Sequence, residues 1–118
     1  MSESPTTRRF CRSFESKQVG GLTYPLVASQ YAPPGWPDRR FEHLRWCGYI
    51  EFKALNGTLK AIQRRMIREI KARGTDALVG RFDASECWIR FEDEDGGLIS
   101  DWMTWGRAIE WLLSRGRK

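Results

Sequence analysis

Gly48-Tyr49-Ile50-Glu51-Phe52-Lys53-Ala54 is the stretch on which the reading of this chain turns. Tyr49, Ile50 and Phe52 favour pleated backbone, and the run is bounded by Gly48 and by Asn56-Gly57, so the spacing predicts a short strand. Side chains alternate along a strand, which puts Ile50 and Phe52 on one face and Glu51 and Lys53 on the other. A carboxylate and an ammonium then share one face of a strand that is apolar enough to be central. Charge held there is costly unless the face opens on a cleft, an ion or a polyanion. An isolated Glu-x-Lys arises often by chance on a solvated edge strand, so its neighbours decide what it means.

Upstream, Arg39 to Trp46 reads as an extended run. Cys47-Gly48 is expected to turn it into the central strand, making residues 38–54 an antiparallel hairpin headed by Asp38. Tyr31-Ala32-Pro33-Pro34-Gly35-Trp36-Pro37 is a stiff loop that delivers Asp38, because Pro fixes the backbone and denies it ladder hydrogen bonds. Leu22 to Val27 is an extended piece in which Pro25 marks an edge strand. Ser4-Pro5 opens a first helix with Phe10, Cys11 and Phe14 at helical spacing, and Gly20-Gly21 ends it.

Downstream, Thr58 is the expected cap of a helix from Leu59 to Arg73, closed by Gly74. Leu59, Ile62, Met66, Ile67 and Ile70 form its apolar stripe. Lys60, Arg64, Arg65, Arg68, Lys71 and Arg73 lie on its other side against Glu69 alone, which reads either as a solvated face or as a track for a phosphate backbone. Ala77 to Arg81 is a buried strand. A strand–helix–strand unit of this length implies a parallel pair. Cys87 to Phe91 is another strand, and Glu92-Asp93-Glu94-Asp95-Gly96-Gly97 a solvated turn that lacks the spacing of a calcium loop. Ser100 or Asp101 is expected to open a last helix carrying Trp102, Trp105, Ile109, Trp111, Leu112 and Leu113, followed by a frayed basic tail, residues 114–118. The order helix, hairpin, helix, strands, helix predicts an α/β fold with a mixed sheet.

The 118 residues suit one domain, with six Trp and six Phe for a core. A net charge of +5 makes nucleic acid or another polyanion a plausible partner. Cys11, Cys47 and Cys87 have no paired spacing and there is one His, so a zinc site or a disulfide framework is not expected. No apolar run approaches the roughly 18 residues of a membrane span, and the N-terminus has no signal-peptide core. The expectation is a cytoplasmic protein with no membrane partner.

A hairpin can bring Asp38 to the Glu51 face, because paired strands lie about 4.8 Å apart. Two converging carboxylates with open positions suit Mg²⁺, which keeps waters and accepts phosphate oxygens. Lys53 beside them can orient a bound water and stabilise charge on a phosphate. Gln63, in the second turn of the basic helix, can hold the Lys, the water or a phosphate, or simply be a boundary polar residue. These are the parts needed to hydrolyse a phosphodiester.

The ordered set resembles a known family. Pro37-Asp38 followed by Glu51-x-Lys53 is the pattern of the PD-(D/E)xK nuclease superfamily. Gly20-Gly21-Leu22-Thr23-Tyr24, Gly35-Trp36-Pro37-Asp38-Arg39, Tyr49 to Ala54, then Gly57, Leu59, Gln63 and Gly74 are similar to its VRR-NUC branch, over roughly residues 20–80. The resemblance implies a restriction-endonuclease-like core and a Mg²⁺- or Mn²⁺-dependent DNA endonuclease. Asp38, Glu51 and the Phe52 carbonyl would be metal ligands, Lys53 would serve the attacking water, and Gln63 would match the family's helix Gln. It also implies a homodimer, of the kind phages carry, that cuts branched DNA such as four-way junctions. Two departures stand out. Pro25 takes a place where a basic residue is common. The family's first helix also supplies a Glu to the metal site, for which this chain offers Glu3, ahead of the helix, or Glu15, late in it. One metal or two is left open.

Arg39, Lys60, Arg64 and Arg68 are the expected DNA contacts, with Trp36 either touching DNA or packing on its loop. The Trp-rich last helix offers an apolar surface for a second subunit. Competing readings are a sequence-specific or nicking endonuclease of the same superfamily, and a DNA-binding module that keeps the fold without cutting.

Overall fold

The computed structural model describes residues 4–26 and 35–116. Ser4 caps the first helix, α1 (Pro5–Phe14), its Oγ accepting from Thr7 N at 3.1 Å, with Pro5 in the first turn where no N–H is required. Four strands follow around one more helix: β1 (Leu22–Pro25), β2 (Arg39–Glu42), β3 (Cys47–Lys53), α2 (Ala61–Ala72) and β4 (Asp76–Phe82). The chain closes with β5 (Trp88–Glu92), β6 (Met103–Thr104) and α3 (Trp105–Arg115). The six strands form one sheet in chain order, β1 to β6. Only β3 and β4 run parallel, and α2 is their crossover. All other pairs are antiparallel. Pro25 sits on the edge strand, as its missing N–H requires.

The alternation along β3 sorts the two layers. Ile50 and Phe52 join Phe10 and Phe14 of α1, Phe41, Phe82 and Phe91 of the sheet, and Ile109, Leu112 and Leu113 of α3 in the larger core. Phe52 stacks on Phe82 at 5.6 Å, and Phe10 meets Phe41, Phe52 and Phe82 edge to face. Tyr49 faces the opposite way, into a smaller core of Ile67 and Ile70 from α2 with Ala77 and Val79 from β4. Helices α1 and α3 therefore cover one face of the sheet and α2 the other. Trp36 packs on Tyr49 at 5.4 Å in this second core.

Several boundaries differ from expectation, each for a local reason. Residues 43–46 make the hairpin turn, and Glu42 pairs with Cys47, so Cys47 and Gly48 lie inside β3. Gly48 is there because the Trp46 ring folds over it; a Cβ would stand 2.6 Å from Trp46 Cζ2 and 2.9 Å from the Asp76 carbonyl oxygen. Trp46 is held in turn by its indole N–H, which donates to Asp76 Oδ2 at 2.9 Å. Helix α2 starts at Ala61, with Lys60 rather than Thr58 at its cap. Ile62 is 44% exposed and does not join the buried stripe. The last helix starts at Trp105, capped by Thr104. Ser100 is engaged elsewhere, accepting from Phe91 N at 2.9 Å, and Trp102 lies before the helix beneath Arg90. Arg115 is fixed, not frayed. It donates to both Asp76 oxygens, at 2.7 and 3.0 Å, and lies over Trp111, while Arg117 and Lys118 fall outside the described residues.

The acidic run is also not a solvated turn. Glu92 lies inside β5 and is buried, accepting from Arg81 and Arg90, and Glu94 is buried against Lys71. Ala108, Ile109, Leu112 and Leu113 of α3 are buried in the core, while Trp102, Trp105 and Trp111 are only partly covered. No helix among the described residues is long and apolar enough to cross a membrane.

Gly48→Ala is expected to destabilise the protein by about 1–3 kcal/mol, because the new methyl meets backbone as well as the Trp46 ring. Urea unfolding of the two proteins checks this, and an unchanged midpoint would contradict the packing described for β3.

Candidate active site

Antiparallel pairing of β2 with β3 sets Arg39 opposite Ile50, so Asp38, one residue earlier, arrives alongside Glu51. Its carboxylate is fixed there, Oδ2 accepting from Phe52 N at 2.8 Å. A carboxylate that receives a backbone N–H keeps one direction without relying on a flexible partner. Glu51 points to the α2 side of β3 and is 3% exposed. Gln63 Nε2 donates to Glu51 Oε2 at 3.0 Å, and Lys53 Nζ lies 3.5 Å from the same oxygen. Asp38, Glu51, Lys53 and Gln63 thus come together, as do the backbone atoms of Phe52 between them.

Gln63 is oriented from both ends. Its Oε1 accepts from Lys60 N at 2.9 Å, which caps α2 and explains why the helix begins two residues later than Thr58 would have it. With the amide oxygen committed to the helix end, the NH₂ group is turned to Glu51. One side chain therefore starts the helix and holds the buried carboxylate.

Glu51 Oε1 has no hydrogen-bond partner among the described residues. Burial is the main reason that its pKa is raised, to about 7, and the nearby Asp38 charge adds to the rise. Lys53 and a backbone hydrogen bond from Asp38 act the other way without overcoming it. An orphaned buried carboxylate oxygen beside a second carboxylate is a poor element of a core and a good ligand for a hard cation. No set of three His, Cys, Asp or Glu side chains converges among the described residues. A cation here would thus rest on Asp38, Glu51, the Phe52 carbonyl and water. That donor set fits Mg²⁺ or Mn²⁺, which accept few protein oxygens and retain waters.

These groups open on a cleft of about 680 Å³. Its walls also include residues not foreseen from the sequence: Ser4 and Thr7 at the start of α1, and Asp83 and Glu86 in the β4–β5 turn. The Ser4-Pro5 helix start was the only signal for the first pair, and nothing marked the second. Thr7 is buried there and shares its hydroxyl with Ser4 at 3.0 Å. Glu15 is not in this cleft. It accepts from Thr23 N and Oγ1 at 3.1 and 2.7 Å, fastening the end of α1 to β1. Glu3 lies outside the described residues.

Of the expected DNA contacts, Lys60 lines the cleft and is exposed. Arg39 donates to Thr23 Oγ1 at 2.6 Å, and Arg64 to the Leu59 carbonyl at 3.1 Å. Arg68 is bound to Asp95 at 2.5 Å and lies 3.8 Å from Glu94, while Lys71 bonds Glu94 at 2.6 Å. The far half of α2 is thus neutralised by the acidic turn.

No protein-family model matches the chain, and no curated protein does. Among solved structures, its fold is similar to that of Hjc, a Holliday junction resolvase from the archaeal hyperthermophile Archaeoglobus fulgidus. The TM-score is 0.54 at 16% identity, covering 86% of this chain and 89% of that one. The likeness is one of fold, and it bears out the restriction-endonuclease-like core expected from the sequence.

The folded, metal-free protein keeps a proton on Glu51 up to about pH 7 that the unfolded chain releases near 4.5. It therefore loses stability as pH rises between those values. Glu51→Gln should stabilise the metal-free protein at pH 8, by up to about 3 kcal/mol, with the gain vanishing toward pH 4. Thermal unfolding of both proteins across this range checks it; a pH-independent difference would contradict the burial of the charge.

Proposed function

We propose that the protein is a divalent-metal-dependent endonuclease that hydrolyses DNA phosphodiesters, with branched DNA such as four-way junctions as its substrate. The observation that carries the chemistry is Glu51: a buried carboxylate with one unpartnered oxygen, set beside Asp38 and within 3.5 Å of the Lys53 ammonium. The motif set shared with VRR-NUC nucleases supports the same reading, and the fold likeness to a Holliday junction resolvase supports the branched substrate.

Asp38, Glu51 and the Phe52 carbonyl would hold Mg²⁺ or Mn²⁺. When bound, the ion would offset the charge on the phosphate and make the bound water more acidic. Glu51 must be ionised to serve, and Gln63 keeps its carboxylate turned to the cleft by donating to Oε2. Lys53, on the same side of β3, orients the attacking water and donates to the phosphate oxygen on which charge grows. Water oxygen bonds to phosphorus as the P–O bond to the leaving strand end breaks; the water gives up its proton to solvent, and the leaving oxygen takes one from solvent. Asp38, pinned to Phe52 N, keeps its place as the phosphate arrives. Cutting two strands of a junction takes two copies of the site, one per subunit of a homodimer.

The phosphate backbone is expected to leave the cleft over α1 rather than along α2. Ser4 and Thr7 line the cleft, and the exposed Arg9 and Arg12 follow on the same helix, within about 12 Å of Ser4 along its axis. Arg9 and Arg12 are exposed and make no ion pair among the described residues, whereas Arg68 and Lys71 are paired.

Labelled four-way junction, flap and linear duplex in Mg²⁺ or Mn²⁺ provide the test. Symmetric cuts in the junction, reduced at least 10²-fold by Lys53→Ala, are expected. Equal cutting of all three would remove the branched substrate, and no cutting despite tight binding would make this a binding module. For the path, Arg9→Gln with Arg12→Gln should lower the slope of log affinity against log salt by about 2, and Arg68→Gln with Lys71→Gln should leave it unchanged. The reverse result would return the track to α2.

A further inference from the structure

Arg81 stands next to Lys53 in the parallel pairing of β4 with β3, on the same face of the sheet. Two neighbouring cations of this kind repel, so the place of Arg81 needs a reason. Its Nη1 donates to three backbone carbonyls, those of Ala54 at 2.8 Å, Leu55 at 3.1 Å and Gly57 at 2.7 Å. Its Nε donates to Glu92 Oε2 at 2.9 Å, and Glu92 is itself buried and shared with Arg90. The three carbonyls belong to the turn that leaves Lys53, closed by Gly57 N donating to Ala54 O at 3.0 Å. Carbonyls at the end of a central strand have no ladder partner, and one guanidinium nitrogen gathers all three.

That turn bears on the site directly. A Cβ at Gly57 would touch Lys53 Cδ at 3.4 Å, so the turn lies along the methylenes that carry the ammonium. The same segment leads to Lys60, whose N–H orients Gln63. We infer that Arg81 is a positioning residue: it clamps the 54–57 turn to β5 through Glu92 and so fixes where Lys53 and Gln63 meet Glu51. The inference rests on the nuclease reading of that site for its catalytic consequence, and on the hydrogen bonds alone for its structural one.

Arg81→Lys is the informative variant. It keeps a cation for Glu92, but an ammonium without a planar fork cannot reach Glu92 and three carbonyls at once. The expected result is a melting temperature close to that of the wild type. Hydrogen exchange is at least tenfold faster at the backbone amides of residues 55–60 and at the Gln63 side-chain amide. Single-turnover cleavage of the preferred DNA falls about 10²-fold at saturating DNA, and affinity measured with Ca²⁺ in place of Mg²⁺ stays within threefold. Wild-type exchange at residues 55–60 and Gln63 would overturn the inference. So would faster exchange with cleavage unchanged, or a cleavage loss that is only weakened binding. If the wild type cuts no DNA, the nuclease reading fails by itself. The exchange at Gln63 then still decides the clamp, faster exchange supporting it and unchanged exchange overturning it.

Discussion

The burial of the Glu51 carboxylate is the constraint to which the surrounding structure answers. Ionised carboxylates are rarely tolerated at 3% exposure without full pairing, and this one has a single saturated oxygen. Two neighbours limit the cost without removing it. Gln63 supplies a neutral donor, Lys53 a partial counter-charge at 3.5 Å, and the backbone fixes Asp38 nearby, which adds repulsion instead of relief. A core optimised for stability alone would hold an apolar residue here. The arrangement makes sense if the missing compensation is a cation that arrives from outside, in company with a phosphate.

The cations of α2 illustrate how charge that looks like a binding surface can already be paired. Arg68 and Lys71 sit on the outward side of the helix and stay exposed, yet the turn after β5 pairs with them through Asp95 and the buried Glu94. Glu92, two residues before Glu94, receives Arg81 and Arg90. One short acidic segment thus ties together the helix that carries Gln63, the strand beside Lys53 and the turn between them. Its contribution is not a large gain in stability, since exposed pairs such as Arg68 with Asp95 are worth little. It restricts where the two groups that touch Glu51 can sit.

The core and the site were legible in the sequence to different depths. Asp38, Glu51, Lys53 and Gln63 fall within 26 residues, and strand alternation plus one hairpin is enough to bring them together. The layers followed from the same alternation at Ile50 and Phe52. Boundaries failed where a tertiary partner outbid a local preference. Gly48 has the composition of a turn but lies under the Trp46 ring. Thr58 is the better intrinsic cap, yet Gln63 caps the helix from within. Ser100 and Asp101 would open a helix if Phe91 did not engage Ser100. The Arg81 clamp was illegible because its partners lie 11 to 27 residues away and share no motif. The one trace was a charged residue ending an otherwise apolar strand.

The geometry of β3 explains why one strand can carry so much. Its antiparallel neighbour β2 starts where β3 ends, which brings Asp38 to Glu51 from one side. Its parallel neighbour β4 ends where β3 ends, which brings Arg81 beside Lys53 from the other. The crossover between the parallel strands must begin at that same end, so the N-terminus of α2 opens there, and Ser4 at the N-terminus of α1 lines the same cleft. Both helices thus begin at the cleft that holds the two carboxylates. A mixed sheet with one parallel pair is therefore not incidental to this site. It places an acid pair, a lysine and two helix ends at a single edge.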